Sequence, residues 1–570
     1  MTDQQATRVT AELDVPVRMR DGTILRANVF RPAATPAAPV LLMRLPYGKD
    51  LPPSVPAVDP VQAARRGYVT VVQDTRGRYA SAGTWDPFRH EGEDGLDTIE
   101  WAAGLPYSDG QVGMYGQSYM GFTQWSAALA APAQLKAIAP AKTWRDPLNG
   151  FFYRGGALEL GLLASWHLGV LGPDLLARRF DGDATELERA LTGLIDEHDS
   201  LASAGYRSLP VRDFEPLLRH DVVPSFFDFA HSPMARSVID HLTIAGKEHL
   251  VTVPSLNIAG WYDLFIQDGI DSYNAMRALG VPSKLVIGPW HHGSNGSTVG
   301  EIDFGMRSNG DWLDLSWSFT GLQLRWFDHW LRRADNGVDA EPEILIFVMG
   351  ANRWRTERSW PLPRAVDTNF YLHPDRRLGP EPPVPSTPDT YAYDPSDPVP
   401  TRGGAALMSP EFPPGAYDQS VLETRPDVLS YTTDVLQASV EVTGNVTAHL
   451  WAASDCVDTD FVVRLCDVYP DGRSIGIADG IVRAQFRDHS RAPSLITPGQ
   501  PYEYRIDLWA TSNVFLPGHR LRVDVTSSCF PRWDRNLNNG NPAAAYGIVA
   551  RQTVLHDPGH PSRLVLPLVA

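Results

Sequence analysis

The chain has 570 residues, 43% hydrophobic and 21% charged, so it can bury more than one large core and is not a disordered chain. Its 50 basic and 67 acidic residues leave a net charge of −17, which argues against a nucleic-acid partner, because phosphate backbones are held by clustered Lys and Arg. The opening "MTDQQATRVTAELDVPVRMRDG" has no apolar secretion core, no unbroken run of about 18 apolar residues marks a membrane span, and Cys456, Cys466 and Cys529 lack metal-ligand spacing, so a cytoplasmic chain with reduced thiols is expected, a Cys466–Cys529 bridge being the lesser alternative.

In chain order, "VPVRMRDGTILRANVFRP" alternates apolar and polar on both sides of Asp21-Gly22, predicting a β-hairpin that turns at Gly22. "PVLLMRLPYG", ending near Tyr47, and "GYVTVVQDTRG", stopping at Asp74, are continuous apolar runs suited to strands buried on both faces of a parallel sheet. "GEDGLDTIEWAAG" reads as a helix with Leu96, Ile99 and Trp101 near one face and acidic residues at its positive end. "GQVGMYG", "FTQWSAALAA" and "LKAIAPA" continue a strand–helix–strand rhythm, which predicts right-handed crossovers in a doubly wound sheet. From residue 147 to residue 242 the pattern is helical and loop-rich. Strands resume at "VPSLNIAGWYD", "SKLVIGPW" and "EILIFVMG", and "LQLRWFDHWLRR" is a helix whose Trp326, Phe327 and Trp330 have core spacing. Beyond Trp360, proline-rich stretches lead into short alternating strands such as "VEVTGNVTAHLWAAS" and "YEYRIDLWAT" with no helices between them, the pattern of an all-β sandwich or jelly roll. The expected organisation is an α/β domain from residues 1–146 and 243–356, a helical insertion over 147–242 and a β domain over 357–570.

"GQSYMG", residues 116–121, lies between a strand and a helix, the setting of a nucleophile elbow that would expose Ser118 at the carboxyl edge of the sheet. Met120 stands where the common elbow pattern has its second glycine, and Ser118 as a plain helix N-cap fits the same six residues. A serine nucleophile needs a histidine base and an acid to orient it. "LNIAGWYD" ends in Asp263 after one apolar strand, and "KLVIGPWHHG" ends in His291-His292 after the next, so both fall on the rim expected for Ser118. Asp263 as a helix N-cap, and either histidine as a structural residue, remain open; a metal held by adjacent histidines is disfavoured without a nearby Cys or HExxH cluster. Tyr47 closes the strand whose following loop supplies oxyanion donors in this fold, and its phenol, like the Tyr119 backbone N–H, can donate to a developing oxyanion.

"RLPYGK", "VVQDTRGRYASAG", "GMYGQSYMGFTQW", "GWYD" and "GPWHHG" resemble the cocaine esterase-like (CocE/NonD) serine hydrolases, a group that includes X-Pro dipeptidyl peptidases, glutaryl acylases and α-amino acid ester hydrolases. "DTDFVVRLCDVYPDGRSIGIADGIVR" and "ATSNVFLPGHRLRVDVTSSCFPRWDRN" resemble that family's C-terminal domain, so the similarity spans nearly the whole chain. The resemblance implies an α/β-hydrolase domain, an inserted helical cap and a C-terminal jelly roll. It makes Ser118 the nucleophile, Asp263 the orienting acid, His292 the base, and Tyr47 with the Tyr119 N–H the oxyanion hole. It places Phe151, Trp166, Phe265, Leu407 and Met408 around the acyl group; read without it, these are ordinary core residues. Relatives that hold a free α-amino group carry acids at positions filled here by Met120, Phe265 and Ile266, and an ammonium without a counter-charge would lose its hydration uncompensated. The expected activity is hydrolysis of small-molecule esters with apolar or aromatic acyl groups, through an acyl-enzyme and without a cofactor or metal. Amide or X-Pro dipeptide cleavage by the same triad is the alternative. The family also suggests a homodimer.

Overall fold

The computed structural model describes residues 8–34, 37–51, 57–222, 226–227, 239–313, 318–488 and 492–570. Strands β1 (Val9–Arg18) and β2 (Ile24–Pro32) pair antiparallel across the turn at Gly22, whose φ of 89° suits glycine. Next come β3 (Ala38–Leu45), β4 (Val69–Asp74), β5 (Ser108–Gln117), β6 (Leu135–Ala141), β7 (Ser255–Tyr262), β8 (Ser283–His291) and β9 (Ile344–Val348), all mutually parallel, and β10 (Arg353–Glu357), which closes the far edge antiparallel. The order across this ten-stranded sheet is β1-β2-β4-β3-β5-β6-β7-β8-β9-β10. Every residue of β3, β4 and β7 is buried, because helices and loops cover both faces; this is why those strands read as unbroken apolar runs.

Helix α1 (Glu91–Ala103) corrects one expectation. Its buried face is Glu91, Asp94, Gly95, Thr98, Ile99 and Ala102, while Leu96 and Trp101 lie at the flanks. Arg44, fully buried on β3, pairs with Glu91 at 2.8 Å, and Arg76 pairs with Asp94 at 2.6 Å. The acidic first turn is therefore turned inward as counter-ions, a placement that hydrophobic periodicity cannot show. Helix α2 (Tyr119–Ala128) follows β5 directly.

Between β6 and β7 the chain forms the helical run α3 (Leu160–Arg179), with a π-helical turn at Trp166–Leu171, and helix α4 (Ala184–Asp199). By length and composition alone α3 could cross a membrane, with mean hydropathy 1.3, yet 61% of that window is buried inside the protein. His167 and Asp174 interrupt its apolar residues, so it is not an unbroken apolar run. Residues 223–225 and 228–238 of the expected helical block lie outside the described residues. Helices α5 (Ile266–Ala278) and α6 (Phe319–Arg332) pack on the sheet, and α6 buries Trp326 and Phe327 with Trp330 at its margin.

The regular elements of the C-terminal part are nearly all strands, joined by long loops. The long Val440–Ser454 pairs antiparallel with Tyr502–Phe515, Ala550–Leu555 and Arg563–Val569 in one sheet. A second sheet has the order Leu429–Thr432, Arg520–Thr526, Asp460–Val468, Ser474–Arg483. Leu450, Phe461, Tyr504, Val523 and Leu564 share one core with their neighbours. The three cysteines are buried and unbridged, so the Cys466–Cys529 alternative does not form.

A buried polar knot joins this part to the chain just before α3. The Arg154 guanidinium lies 3.3 Å from the centre of the Trp509 ring and 3.3 Å from Asp479. Arg532 donates to both Asp479 oxygens at 2.9 and 3.0 Å, and the Trp533 indole donates to Glu159 at 2.8 Å. Burial pushes the Asp479 carboxyl up, but Arg532, Arg154 and Arg464 outweigh it and hold the group below the usual carboxylate range. The knot anchors the start of α3, and α3 forms one wall of the cavity described next.

Candidate active site

Strand β5 ends at Gln117 and α2 starts at Tyr119, so Ser118 reverses the chain by itself. It does so at φ 61° and ψ −124°, a conformation that side chains disfavour. Two glycines make room. A Cβ on Gly116 would lie 2.5 Å from Met120 Cβ, and one on Gly121 would lie 2.5 Å from Thr143 Cβ. Close packing thus requires glycine at 121 and leaves Met120 free to be large. Ser118 occupies the N-cap position of α2 but makes no side-chain capping bond, so its hydroxyl is not consumed by the helix.

Strand β7 leads into Asp263 and β8 into His292. His292 Nδ1 lies 2.8 Å from Asp263 Oδ2, and the two residues are 2% and 0% exposed. Asp263 Oδ1 accepts the Phe265 N–H at 2.8 Å, which fixes the plane of the carboxylate. Burial pushes the Asp263 carboxyl up, but the His292 charge and hydrogen bond, the Lys142 ammonium and the Phe265 N–H together hold it below its ordinary value. An ionised carboxylate only accepts hydrogen bonds, so the ring nitrogen that faces it, Nδ1, is the donor. Gln117 Nε2 donates to the His292 carbonyl, tying the histidine loop to the strand that carries Ser118.

Ser118, His292 and Tyr47 line one cavity of about 200 Å³. No hydrogen bond joins Ser118 Oγ to His292 in this structure; such bonds are commonly long in free enzymes and tighten with substrate. Tyr47 is half-buried on the loop after β3, its ring edge-on to that of Tyr119 at 6.3 Å. Burial drives the Tyr47 phenol up to about 12, partly offset by a hydrogen bond from Trp166, so it remains an O–H donor at neutral pH. The Tyr119 phenol is engaged elsewhere: it donates to Glu91 at 2.8 Å and stacks on Phe88 at 4.4 Å. Its backbone N–H heads α2, where first-turn donors have no intrahelical acceptor.

The remaining wall is apolar. Phe151, Trp166, Phe265 and Leu407 are all on it. Phe151 stacks on Trp144 at 4.2 Å and meets Phe265 edge-on at 5.9 Å. Met408 is not on the wall: its thioether lies over Gly161 of α3, filling the space a Cβ there would need. Four lining residues escaped the sequence reading, namely Trp144, Leu162, Val170 and Gly293, the last directly after His292. Trp144 follows the carboxyl end of β6, so the rule that placed Asp263 and His292 also reaches it. Leu162 and Val170 become visible only once α3 is placed. No Asp, Glu, Lys or Arg is among the residues described as lining the cavity. Metal-type donors cluster in the β region instead, where Glu423, Cys466 and Asp524 lie within 4.8 Å of one another; Arg522 hydrogen-bonds to Glu423, and Arg464 lies 3.8 Å from Asp524, so arginines already supply the counter-charge.

The chain is similar to known proteins over nearly its whole length. Residues 21–294 match the X-Pro dipeptidyl-peptidase (S15 family) profile, and residues 336–565 match the X-Pro dipeptidyl-peptidase C-terminal non-catalytic domain. The chain is 37% identical to the cocaine esterase of Rhodococcus sp. (strain MB1 Bresler), over 98% of each chain. Among solved structures it is similar to an α-amino acid ester hydrolase, with a TM-score of 0.74 and 25% identity over 100% of this chain and 98% of the other. An aminopeptidase from a marine sediment Thaumarchaeota archaeon shares the fold, with a TM-score of 0.79 and 24% identity over 100% and 97% of the two chains.

Proposed function

The chain belongs to the cocaine esterase-like branch of the X-Pro dipeptidyl-peptidase (S15) hydrolases, and from that premise we propose that Ser118, His292 and Asp263 are the triad of this serine carboxylic ester hydrolase. His292 Nε2 takes the Ser118 proton as Oγ attacks the ester carbonyl. The Tyr47 O–H and the Tyr119 N–H receive the negative charge on the former carbonyl oxygen. His292 then protonates the departing alcohol, leaving an acyl-serine. Water, deprotonated by the same ring, attacks that acyl group, and the acid leaves as Ser118 regains its proton. The 2.8 Å bond between His292 Nδ1 and a carboxylate that is itself fixed by the Phe265 N–H carries this reading.

The wall supports an apolar or aromatic acyl group, because Trp144, Phe151, Trp166 and Phe265 offer ring faces and no charge. We read the segment 147–242 as a helical cap, supported by the presence of Trp166 and Val170 of α3 over the cavity. We read 357–570 as a jelly roll, supported by its two antiparallel sheets around a shared core. Side-by-side turnover of p-nitrophenyl butyrate, p-nitrophenyl benzoate, the matching anilides and Gly-Pro-p-nitroanilide tests the assignment. Faster ester than anilide cleavage and no turnover of the dipeptide substrate are expected; dipeptide release as the best reaction would replace this reading with the peptidase one.

Tyr47→Phe isolates the oxyanion donor. A donor used only in the transition state is worth roughly 3 kcal/mol, so kcat should fall ~10²-fold with little change in KM. A loss below about threefold would leave the phenol as a packing residue.

A further inference from the structure

Lys142 is 2% exposed, at the first position past β6, with a φ of 41° that few side chains adopt. Its backbone bridges the neighbourhoods of two triad members. Its N–H donates to Ile258 O at 2.7 Å on β7, the strand that ends beside Asp263, and its carbonyl accepts the Ser118 N–H at 3.2 Å. Its side chain reaches the third. Nζ donates to His291 O at 2.6 Å, Asn295 Oδ1 at 2.6 Å and Ser294 O at 3.2 Å. All three acceptors belong to the short segment that contains His292, and the Trp290 ring lies 5.8 Å from Nζ.

We propose that Lys142 is a positioning residue of the triad: its buried ammonium clamps the 291–295 segment, and with it the His292 ring, in register with the Ser118 turn and the Asp263 carboxylate. This rests on the reading of 118, 263 and 292 as the triad. An apolar side chain would fill the same volume without the desolvation that a buried charge suffers, so a cation here has to be matched by its surroundings. They do match it. An ammonium has three N–H bonds, and each has an oxygen. The titratable groups facing it are Asp263 from the end of β7 and His291 and His292 from the end of β8. Burial lowers the Lys142 ammonium and Asp263 opposes that, leaving it at about 7. In turn the Lys142 charge, behind the larger effect of His292, helps hold the Asp263 carboxyl below its ordinary value. Burial, with the Lys142 charge, lowers the His291 imidazole to about 4, so that ring is neutral and adds no competing cation at neutral pH. Lys142 does not line the cavity, so its influence on turnover runs through the loop and the carboxylate rather than through substrate.

Lys142→Met, which keeps an unbranched side chain one atom shorter and removes the charge, tests this with p-nitrophenyl butyrate. Loss of angstrom-scale alignment should cost about 10- to 100-fold in kcat, with KM within about threefold of the parent. Fluorophosphonate labelling of Ser118 should slow in parallel with kcat, and inhibition by benzoate should stay as in the parent. A kcat within about threefold of the parent, or a loss carried by KM and benzoate affinity instead of kcat, overturns the clamp. Where Lys142→Met does not fold by circular dichroism, Asn295→Ala removes a single acceptor. It should lower kcat several-fold at unchanged KM, and an unchanged kcat overturns the proposal. The parent enzyme separates the two layers of the argument: a parent that neither turns over ester nor labels at Ser118 sinks the triad itself, whereas an active parent matched by an equally active Lys142→Met sinks the clamp alone.

Discussion

Ser118→Ala should lower kcat on p-nitrophenyl butyrate by ~10³-fold or more and abolish fluorophosphonate labelling. The substitution deletes one oxygen that caps nothing and makes no hydrogen bond in the resting structure. The backbone around it is held independently, by Ser118 N–H to Ala141 O at 2.9 Å and by Thr143 Oγ1 to Ser118 O at 2.8 Å. Alanine meets the same φ as serine, so the melting temperature should stay near the parent's. Activity and stability are thereby separated, which a residue holding up the fold would not allow. Residual turnover above the background reaction is expected, since the Tyr47 and Tyr119 donors and the apolar wall survive. A variant retaining most of the parent kcat would remove Ser118 from the chemistry, whatever the shape of its turn.

Asp263→Asn should cost about 10⁴-fold in kcat. The reason lies in the two bonds of the carboxylate. Oδ1 accepts the Phe265 N–H at 2.8 Å, and that position requires an oxygen in the variant too. The amide is then forced to present its NH₂ to His292 Nδ1, where Oδ2 accepts at 2.8 Å in the parent. Two donors cannot face each other, so the ring moves its proton to Nε2, the atom that must accept from Ser118. The counter-ion for the imidazolium formed during attack is lost in the same step, and the Lys142 ammonium loses the Asp263 charge that faces it. Substrate still fits, so KM should change little. A kcat within about tenfold of the parent would mean that another group orients the ring.

Much of this site can be read along the chain because each element announces itself locally. The hairpin at Gly22, the apolar runs of β3, β4, β7 and β8, and the glycines around Ser118 are patterns with periods of one or two residues, set by strand geometry and by clashes a Cβ would make. The elements that were misread are those whose neighbours are distant in sequence. The inward face of α1 depends on Arg44, which comes from β3, and no periodicity within α1 reports an arginine waiting beneath it. Strands β1 and β10 close the two edges of the large sheet, and nothing local to either marks it as an edge until the sheet is assembled. Met408 sits one residue past Leu407, which is on the wall, and only the path of α3 decides that the second of the pair turns to Gly161.

The sequence alone determined the kind of sheet, the strand that ends at each reactive side chain, and the chain order of nucleophile, acid and base, because those follow from backbone sterics and from where carboxyl ends of parallel strands must point. Tertiary structure alone decided which side chains enclose the acyl space and which buried charge holds the histidine loop. Those are contacts between elements far apart in the chain: Lys142 lies 149 residues from the His291 carbonyl it holds, and such a pairing exists only once β6 and β8 have been placed in one sheet on either side of β7.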